Sequence, residues 1–365
     1  MRKFAIVVVV LAFISFNAFG ANLHINCGSH RTLGAALASI DPTIPNTIHV
    51  SGTCNEVIDI QQFDHLTIIG EKDAVIASSS TTAYTFTVRS SHDVAIRNLT
   101  VRGGSFGALY FESCKDCSLY NSIVEGLFVM GSLSKAVAFK DVFHANTWAG
   151  IGVFDNSVLF LNDSSLDTAN GAWAGVAMFK GAEVTVGGTT VQNFAVGFNV
   201  DHSTLDVSNG YVWELPTSNP DQTVLIQNTM GPAISVFNGG TANLTSVARL
   251  QNNGSMWWSA AIQADGNSTI DIQDGAEISN SATDGIRLTW GAHATIGAAK
   301  ILNYGKNCCG SGISLTDNST ASVSSGNGNL VISGGPGPDI FCDDSGRLGG
   351  VSYISASTIS CDHAK

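Results

Sequence analysis

The chain of 365 residues is short of charge, of basic side chains above all, and of proline. Lys and Arg number 17 against 29 Asp and Glu, so the formal net charge is -12 at pH 7. Such a surface repels phosphate backbones and anionic lipid, which argues against nucleic-acid binding and peripheral membrane binding. Because only 13% of the residues are charged, few Lys and Glu remain to build the solvent-facing sides of helices.

Glycine and apolar residues are plentiful instead. The chain has 39 Gly, and 44% of its residues are hydrophobic, which is enough to bury a large core and too much for a disordered tail. This mixture indicates many short strands joined by turns.

The start of the chain, residues 1–20, has the pattern of a secretory signal. Two basic residues precede the apolar run Phe4–Phe16, and Ala18 and Gly20 are small residues at the positions that a signal peptidase reads. The run is shorter than the ~20 residues of a membrane-spanning helix, and no second apolar stretch of that length follows. We therefore expect a secreted protein, extracellular or periplasmic, without membrane insertion, whose mature chain begins near Ala21.

Export would place the eight cysteines in an oxidising compartment, where disulfides persist. Cys27 and Cys54 flank the first segment of the mature chain, and Cys342 and Cys361 flank the last, so we predict one disulfide at each end. A zinc site made of the other four would need them close together, and the repeat described next keeps them apart. These four, whose roles the sequence leaves open, are Cys114, Cys117, Cys308 and Cys309.

A short pattern repeats along the chain with a period of about 25 residues. In each copy a small residue is followed by alternating apolar positions, and most copies continue into a polar turn and a second alternating strand. The small residues are Gly107, Gly150, Gly175, Gly197, Ala233, Ala261, Gly285 and Gly312. Short strands cannot bury their apolar sides alone, whereas stacked turns pair each strand in parallel with its equivalent one turn later. The sequence therefore predicts an all-β fold, a single-stranded right-handed parallel β-helix.

Five asparagines near strand ends support this architecture. Asparagine tolerates the left-handed conformation of a sharp turn and can hydrogen-bond to an asparagine one turn away. The five residues are Asn162, Asn193, Asn252, Asn280 and Asn303.

The open ends of a solenoid need covers, because they expose unpaired strand edges. Arg31–Ile40 has apolar residues at helical spacing, which predicts an amphipathic helix over the first turn. We place the N-terminal cap at 21–56 and the C-terminal cap at 339–365 of one domain that spans 21–365.

Both ends of the mature chain carry a resemblance to a known fold family. The opening combines Cys27, Leu33-Gly-Ala-Ala-Leu37 and Thr47-Ile-His-Val-Ser-Gly-Thr-Cys54, and the closing motif is Gly337-Pro-Asp339-Ile-Phe-Cys342 with Cys361. These segments resemble the first turn and the end segment of secreted bacterial proteins with the pectin-lyase-like β-helix fold. That superfamily includes lyases, esterases, glycoside hydrolases, adhesins and proteins without known activity, so the resemblance implies the fold and leaves the function open.

The resemblance allows the catalytic positions of the superfamily to be compared with this chain residue by residue. Polygalacturonases carry theirs just before the repeat glycine on consecutive turns, where this chain has one acidic residue, Asp284, without the partner base that such hydrolysis needs. A polysaccharide lyase needs carboxylates and an Arg or Lys. Outward positions on successive turns place Asp201, Asp265 and Arg287 near His202, with Asp265 within reach of Arg287. The same residues also fit a surface ion pair with solvated neighbours.

One outward feature combines small and aromatic residues. Gly150, Gly152, Gly175 and Ala177 are predicted to form a flat floor between two rows of rings. Flat apolar rings suit the C–H faces of sugars, and outward aromatics on a soluble protein need an explanation. The alternatives are a self-covering aromatic stack, a stack roofed by the loop Tyr211–Gln222, or a protein–protein interface. The predicted ring residues are Trp148, Trp173, Phe154, Phe179 and Phe237, with Phe111 in the same row.

We therefore predict an exported β-helix scaffold that binds a neutral glycan or a surface partner without catalysis, and that needs no metal or cofactor. The alternative is a polysaccharide lyase or another carbohydrate-active enzyme of the same fold, for which Ca²⁺ is the expected ion. The identity of the ligand and the oligomeric state stay open.

Overall fold

The computed structural model describes residues 20–29, 31–208, 222–256, 259–307, 309–324 and 328–362. In this part of the chain short strands form three parallel sheets, and from Ile58 onward the chain visits sheets 1, 2 and 3 in that order. The result is the predicted right-handed parallel β-helix, with about 13 turns. Most of the predicted signal, most of the predicted roof loop and Cys308 lie outside the described residues.

Sheet 1 contains the strands that begin the repeat pattern. Its thirteen strands are Ile58–Gln61, Phe86–Arg89, Leu109–Glu112, Phe128–Gly131, Ala149–Val153, Ala174–Phe179, Val196–Asp201, Ile234–Phe237, Ile262–Ala264, Ile286–Leu288, Ile313–Leu315, Ile340–Cys342 and Ile359–Ser360.

Sheet 2 contains the second strand of each turn and has one strand more than sheet 1. Its fourteen strands are Asn22–Asn26, Asn46–Ser51, Asp64–Gly70, His92–Arg97, Cys117–Tyr120, Lys135–Phe139, Val158–Asn162, Glu183–Gly187, Thr204–Val207, Thr241–Leu244, Thr269–Ile272, His293–Ile296, Thr320–Val323 and Arg347–Gly349.

Sheet 3 closes each turn. Its thirteen strands are Thr53–Asn55, Val75–Ala77, Thr100–Arg102, Ile123–Glu125, Val142–Ala145, Ser165–Thr168, Thr190–Gln192, Val224–Gln227, Ala248–Gln251, Glu277–Ser279, Lys300–Leu302, Leu330–Ser333 and Ile354–Ser355. The final strands of all three sheets come from the predicted C-terminal cap, so that segment continues the solenoid.

The core is one apolar cluster that runs along the axis of the solenoid. Alternate residues of each strand point inward, and the parallel register places equivalent residues above one another, as Ile151, Val176 and Phe198 show. Burial of each such aliphatic side chain contributes roughly 1.5–3 kcal/mol to the stability of the fold. Because these side chains stack on their equivalents one turn away, each turn is stabilised by its neighbours.

The repeat glycines stack as predicted but lie against the interior. A β-carbon on Gly175 would lie 2.7 Å from the carbonyl oxygen of Gly197 and 2.5 Å from Cγ1 of Val191, a core residue. A β-carbon on Gly150 would lie 2.9 Å from the carbonyl oxygen of Gly175. The prediction that Gly150 and Gly175 form part of an outer floor is therefore wrong, because the chain bends inward where the strand begins.

The asparagine ladder is present at the end of sheet 3. Asn193, Asn252, Asn280 and Asn303 all have positive φ, between 53° and 67°, and the Asn303 amide donates to Oδ1 of Asn280 at 3.3 Å. Asn228, which was not predicted, occupies the same position between Asn193 and Asn252, with φ of 57°.

The prediction for Asn162 is wrong by one residue. Asp163 takes the left-handed conformation there, with φ of 49°, whereas Asn162 ends its strand and is fully buried. This corner follows a strand of sheet 2, whereas the asparagine ladder follows strands of sheet 3.

A short α-helix, Leu33–Leu37, lies inside the segment for which a longer amphipathic helix was predicted. Leu33, Ala36 and Leu37 are buried, and the carboxylate of Glu56 accepts the N–H groups of Leu33 and Gly34 at 2.7 and 3.1 Å. A carboxylate at a helix N-terminus satisfies donors that have no partner inside the helix. None of the described helices is long and apolar enough to cross a membrane.

The described residues contain three disulfides. Cys27–Cys54 and Cys342–Cys361 are the predicted pairs, and Cys114–Cys117 is a third, which the sequence analysis left open. Cys114 and Cys117 are buried at the corner between sheets 1 and 2. Their pairing removes both thiols from any metal site.

Candidate functional site

Four aromatic rings form a continuous outer surface on sheet 1, which we call the aromatic platform. Trp148 and Trp173 come from adjacent turns with ring centroids 6.2 Å apart, and Phe154 and Phe179 stack at 5.2 Å with their planes 16° apart. The two tryptophans remain 39% and 40% exposed, which is unusual for a side chain of this size. The platform therefore offers flat apolar area to solvent on a single side of the solenoid.

Small residues lie beneath the platform, but they do not form an open trough. Ala177 is fully buried, and a β-carbon on Gly152 would lie 2.7 Å from the ring of Phe154 and 3.6 Å from that of Trp148. Trp148 and Phe154 also meet edge to face at 6.3 Å. The two predicted rows of rings thus meet over Gly152 and make one surface.

A second set of rings continues the platform toward the N-terminus, and we call it the tyrosine group: Tyr84, Phe106 and Tyr110. Tyr84 packs edge-on against Phe106 at 4.9 Å and stacks on Tyr110 at 5.1 Å. Burial raises the pKa of Tyr84 to about 12. A small apolar cluster that is separate from the core joins this group to Phe154 and Phe179. The sequence analysis missed all three residues.

Two of the predicted ring residues lie elsewhere. Phe111 is fully buried and pairs with Met130 in the core, so its placement on the outer row is wrong. Phe237 does lie on the outer column of Phe179, but Asp201 occupies the turn between them. The platform therefore ends at Phe179.

The predicted carboxylates Asp201 and Asp265 lie on the same outer column, separated by the turn that contains Phe237. Oδ1 of Asp201 lies 2.7 Å from Nδ1 of His202 and accepts the amide of Asn238 at 3.0 Å. Partial burial raises the pKa of Asp265. The structure therefore brings Asp201 together with His202, but not with Asp265.

Arg287 pairs with Asp284. Its Nε and one terminal nitrogen lie 2.7 and 2.6 Å from Oδ2 of Asp284, and Oδ1 of the same carboxylate accepts the backbone N–H of Ser311 at 2.6 Å. In the described residues Arg287 makes no ion pair with Asp265, because the register places it opposite Gln263. The arrangement of Arg287 and Asp284 is that of a structural ion pair at the strand start.

A second outer surface, which we call the sheet 2 groove, has a volume of about 730 Å³. Thr67, Ala95 and Ser118 lie above one another as its floor. At the strand ends the Arg97 guanidinium lies 5.1 Å from the ring centroid of Tyr120, close enough for a cation–π contact. The sequence analysis did not identify this groove.

At the strand starts, the groove is bordered by a cluster of acidic and imidazole side chains. The Nδ1 atoms of His65 and His92 both lie 2.8 Å from Oδ1 of Asp64. The hydrogen bond between His92 and Asp64 raises the pKa of His92 and lowers that of Asp64. Nε2 of His65 lies 3.7 Å from Asp93, and Nε2 of His92 lies 3.8 Å from Asp116. Each imidazole therefore has a carboxylate near both of its nitrogens.

Comparison with known proteins supports the fold. No protein-family model and no curated protein matches the chain. Among solved structures, the catalytic unit of a GH87 α-1,3-glucanase from Streptomyces thermodiastaticus strain HF3-3 is similar, with a TM-score of 0.57, 14% identity, and 87% of this chain and 64% of that chain covered. This chain thus spans less than two thirds of the glucanase unit.

The A-module of the mannuronan C-5 epimerase AlgE6 from Azotobacter vinelandii is also similar, with a TM-score of 0.50 and 12% identity. The similarity covers 93% of this chain and 99% of that module. At such identities both comparisons show the shared parallel β-helix and nothing about the residues of a site.

Proposed function

We propose that this protein binds a neutral polysaccharide or oligosaccharide through the aromatic platform and acts outside the cytoplasm. The observation that carries the proposal is the pair of half-exposed tryptophans beside stacked phenylalanines on one side of the solenoid. The three disulfides support an oxidising compartment. The two solved structures described above belong to proteins whose names refer to glucan or mannuronan, which agrees with a carbohydrate ligand.

The shape of the surface favours an extended ligand. From Tyr84 to Phe179 the rings span five turns, which corresponds to roughly 20 Å along the axis at ~4.8 Å per turn. Pyranose rings present flat C–H faces that pack on aromatic rings, and a chain of them can follow a straight row. The net charge of -12 disfavours a polyuronate unless a cation neutralises it.

Binding without catalysis is the form of the proposal that the geometry favours. A lyase needs its base and its charge-stabilising groups close together around one sugar. Here Asp201 and Asp265 are two turns apart, and Arg287 is held by Asp284. These positions support a structural interpretation of all three residues.

The decisive experiment is retention of the purified protein on immobilised neutral glycans, followed by affinity measurement on the retained polymer. Aromatic contacts are worth about 1 kcal/mol each, so Trp148→Ala/Trp173→Ala is expected to weaken binding at least tenfold. Trp290→Ala is the matched control, because Trp290 is 67% exposed but lies four turns beyond Phe179, the end of the platform. Equal retention of wild type and the double variant, or no retention of wild type on any polymer, would overturn the proposal.

A further inference from the structure

We infer that Asp64, His65 and His92 form a binding site for a divalent transition-metal ion of the Zn²⁺ type. The inference does not depend on the proposed function, because the cluster lies at the border of the sheet 2 groove and the aromatic platform lies on sheet 1. The sequence analysis predicted no metal site, and the spacing of these residues matches no short metal-binding motif.

The β-helix itself brings the three ligand residues together. Asp64 and His92 begin successive strands of sheet 2 and are paired in register, one turn apart. His65 follows Asp64 with a φ of 58°, so the chain turns sharply there. His65 and His92, from successive turns, thus converge on one carboxylate oxygen of Asp64, with both Nδ1 atoms at 2.8 Å from it.

The donor set suits zinc-like ions and suits calcium poorly. Two imidazole nitrogens and one carboxylate oxygen are the ligands of many zinc sites with an open fourth position, whereas Ca²⁺ requires oxygen ligands. In a tetrahedral site, ligand atoms are roughly 3.3–3.6 Å apart. The distance from Oδ1 of Asp64 to each Nδ1 atom, now 2.8 Å, therefore has to lengthen by about 0.5–0.8 Å when the ion binds. The three side chains are about half exposed and have room for that rotation.

The surrounding carboxylates fit the same interpretation. An imidazole that binds a metal through one nitrogen commonly has its other N–H directed to a carboxylate, which fixes the ring. Here Asp93 lies 3.7 Å from Nε2 of His65, and Asp116 lies 3.8 Å from Nε2 of His92. Lys135 lies 3.1 Å from the other oxygen of Asp116 and holds it in place.

The cluster lies where a molecule bound in the sheet 2 groove could supply the fourth ligand of the ion. His92, Asp93 and Asp116 line the sheet 2 groove. An ion held by three protein ligands at this border can take its next ligand, a hydroxyl or carboxylate oxygen, from a molecule lying in the groove. A second group, His24, His49 and Glu71, also has metal-ligand chemistry, but it does not line the sheet 2 groove.

The test is a Zn²⁺ titration of the disulfide-intact chain by calorimetry, repeated with Co²⁺ to record the visible absorption of a tetrahedral site. We expect His65→Ala/His92→Ala to remove one equivalent of bound Zn²⁺, and Asp64→Asn to weaken that equivalent at least tenfold. His293→Ala is the matched control, since His293 is exposed and hydrogen-bonds only a threonine in the described structure.

A second double variant, His24→Ala/His49→Ala, separates the two groups. Retention of the groove equivalent in this variant, together with its loss in His65→Ala/His92→Ala, supports the site. If the His65→Ala/His92→Ala protein titrates as wild type does, if wild type binds no Zn²⁺, or if His24→Ala/His49→Ala abolishes all binding, the inference is overturned. Glycan retention of the same variants is measured separately and is expected to be unchanged.

Discussion

Oδ1 of Asp141 accepts the backbone N–H of Ser122, one turn away, at 2.7 Å. The two residues belong to a buried column of polar side chains in which each accepts an N–H from the preceding turn, as Ser164 does from Asp141 at 3.1 Å. Serine and threonine occupy the neighbouring positions of the column, so Asp141 is the member that can ionise. Burial raises its pKa to about 8.

This raised pKa predicts a dependence of stability on pH. Below about pH 4 the carboxyl is protonated in both states, and between about pH 4 and 8 it is protonated in the folded chain and ionised in the unfolded one. Folding then takes up a proton, so its contribution to stability falls as pH rises, with a slope approaching about 1.4 kcal/mol per pH unit. Above about pH 8 the slope vanishes.

Asp141→Asn keeps the acceptor and removes the charge, so its stability advantage over wild type is expected to grow from pH 4 to pH 8 in urea denaturation. Asp141→Ser, which copies the neighbouring residues of the column, is the control and is expected to behave in the same way. A difference between wild type and Asp141→Asn that does not change with pH would contradict the prediction.

The close packing of the repeat glycines predicts a large effect of a single methyl group. In Gly175→Ala the added carbon would meet the backbone of the next turn and a core valine at 2.7 and 2.5 Å, so we expect a loss of about 2–3 kcal/mol or more in the free energy of unfolding. Gly349→Ala is the control, because its nearest atom is at 3.9 Å and its φ is not positive. Equal denaturation midpoints for the two variants would refute this explanation of the glycine column.

The disulfides are expected to differ in their contribution to stability. Cys27–Cys54 joins residues with a sequence separation of 27, for which loss of chain entropy in the unfolded state gives a stabilisation of about 3.5 kcal/mol. Cys114–Cys117 has a separation of 3, for which the same relation gives about 2 kcal/mol. Guanidinium denaturation of Cys27→Ala/Cys54→Ala and Cys114→Ala/Cys117→Ala compares two otherwise similar changes. The reverse order would show that packing around the buried CxxC outweighs loop closure.

Arg287 is expected to stabilise the folded chain through its ion pair with Asp284. Arg287→Ala leaves the buried carboxylate of Asp284 without its cation, for which we expect a loss of about 1–3 kcal/mol. Lys180→Ala, which breaks an exposed pair with Asp155, is the control and should cost less than about 0.5 kcal/mol. Loss of polysaccharide cleavage in Arg287→Ala at unchanged thermal stability would favour the lyase alternative instead.

The period of the repeat was sufficient to predict the fold, because stacking in a solenoid follows directly from it. The assignment of outward residues was less secure, as the neighbouring residues Tyr110 and Phe111 illustrate. Aligning Gly107 with Gly150 puts Phe111 opposite Phe154, whereas the ladder pairs Leu109 with Phe128 and Phe128 with Ile151. A slip of one residue in a strand moves every side chain to the other side of the sheet, so Tyr110 is outside and Phe111 is in the core.

The cluster at Asp64 was missed for a different reason. The repeat pattern is recognisable in the sequence only from Gly107 onward, so the register of the earlier turns that contain His65 and His92 could not be predicted. Short metal-binding motifs place their ligands a few residues apart, but in a solenoid the relevant spacing is a full turn, here 28 residues between Asp64 and His92. The conformations that aim His65 and Asp93, both with positive φ, depend on the corner and not on a local pattern.

The two terminal cross-links have a consequence for how this molecule unfolds. In a solenoid each turn contacts only the turns beside it, so the outermost turns, which have one neighbour each, are expected to unfold first. Cys27–Cys54 and Cys342–Cys361 link the outermost described turns covalently to the neighbouring turns. Fraying of the described solenoid therefore meets a cross-link at either end, and reductant is expected to loosen these outer turns well before the middle turns open.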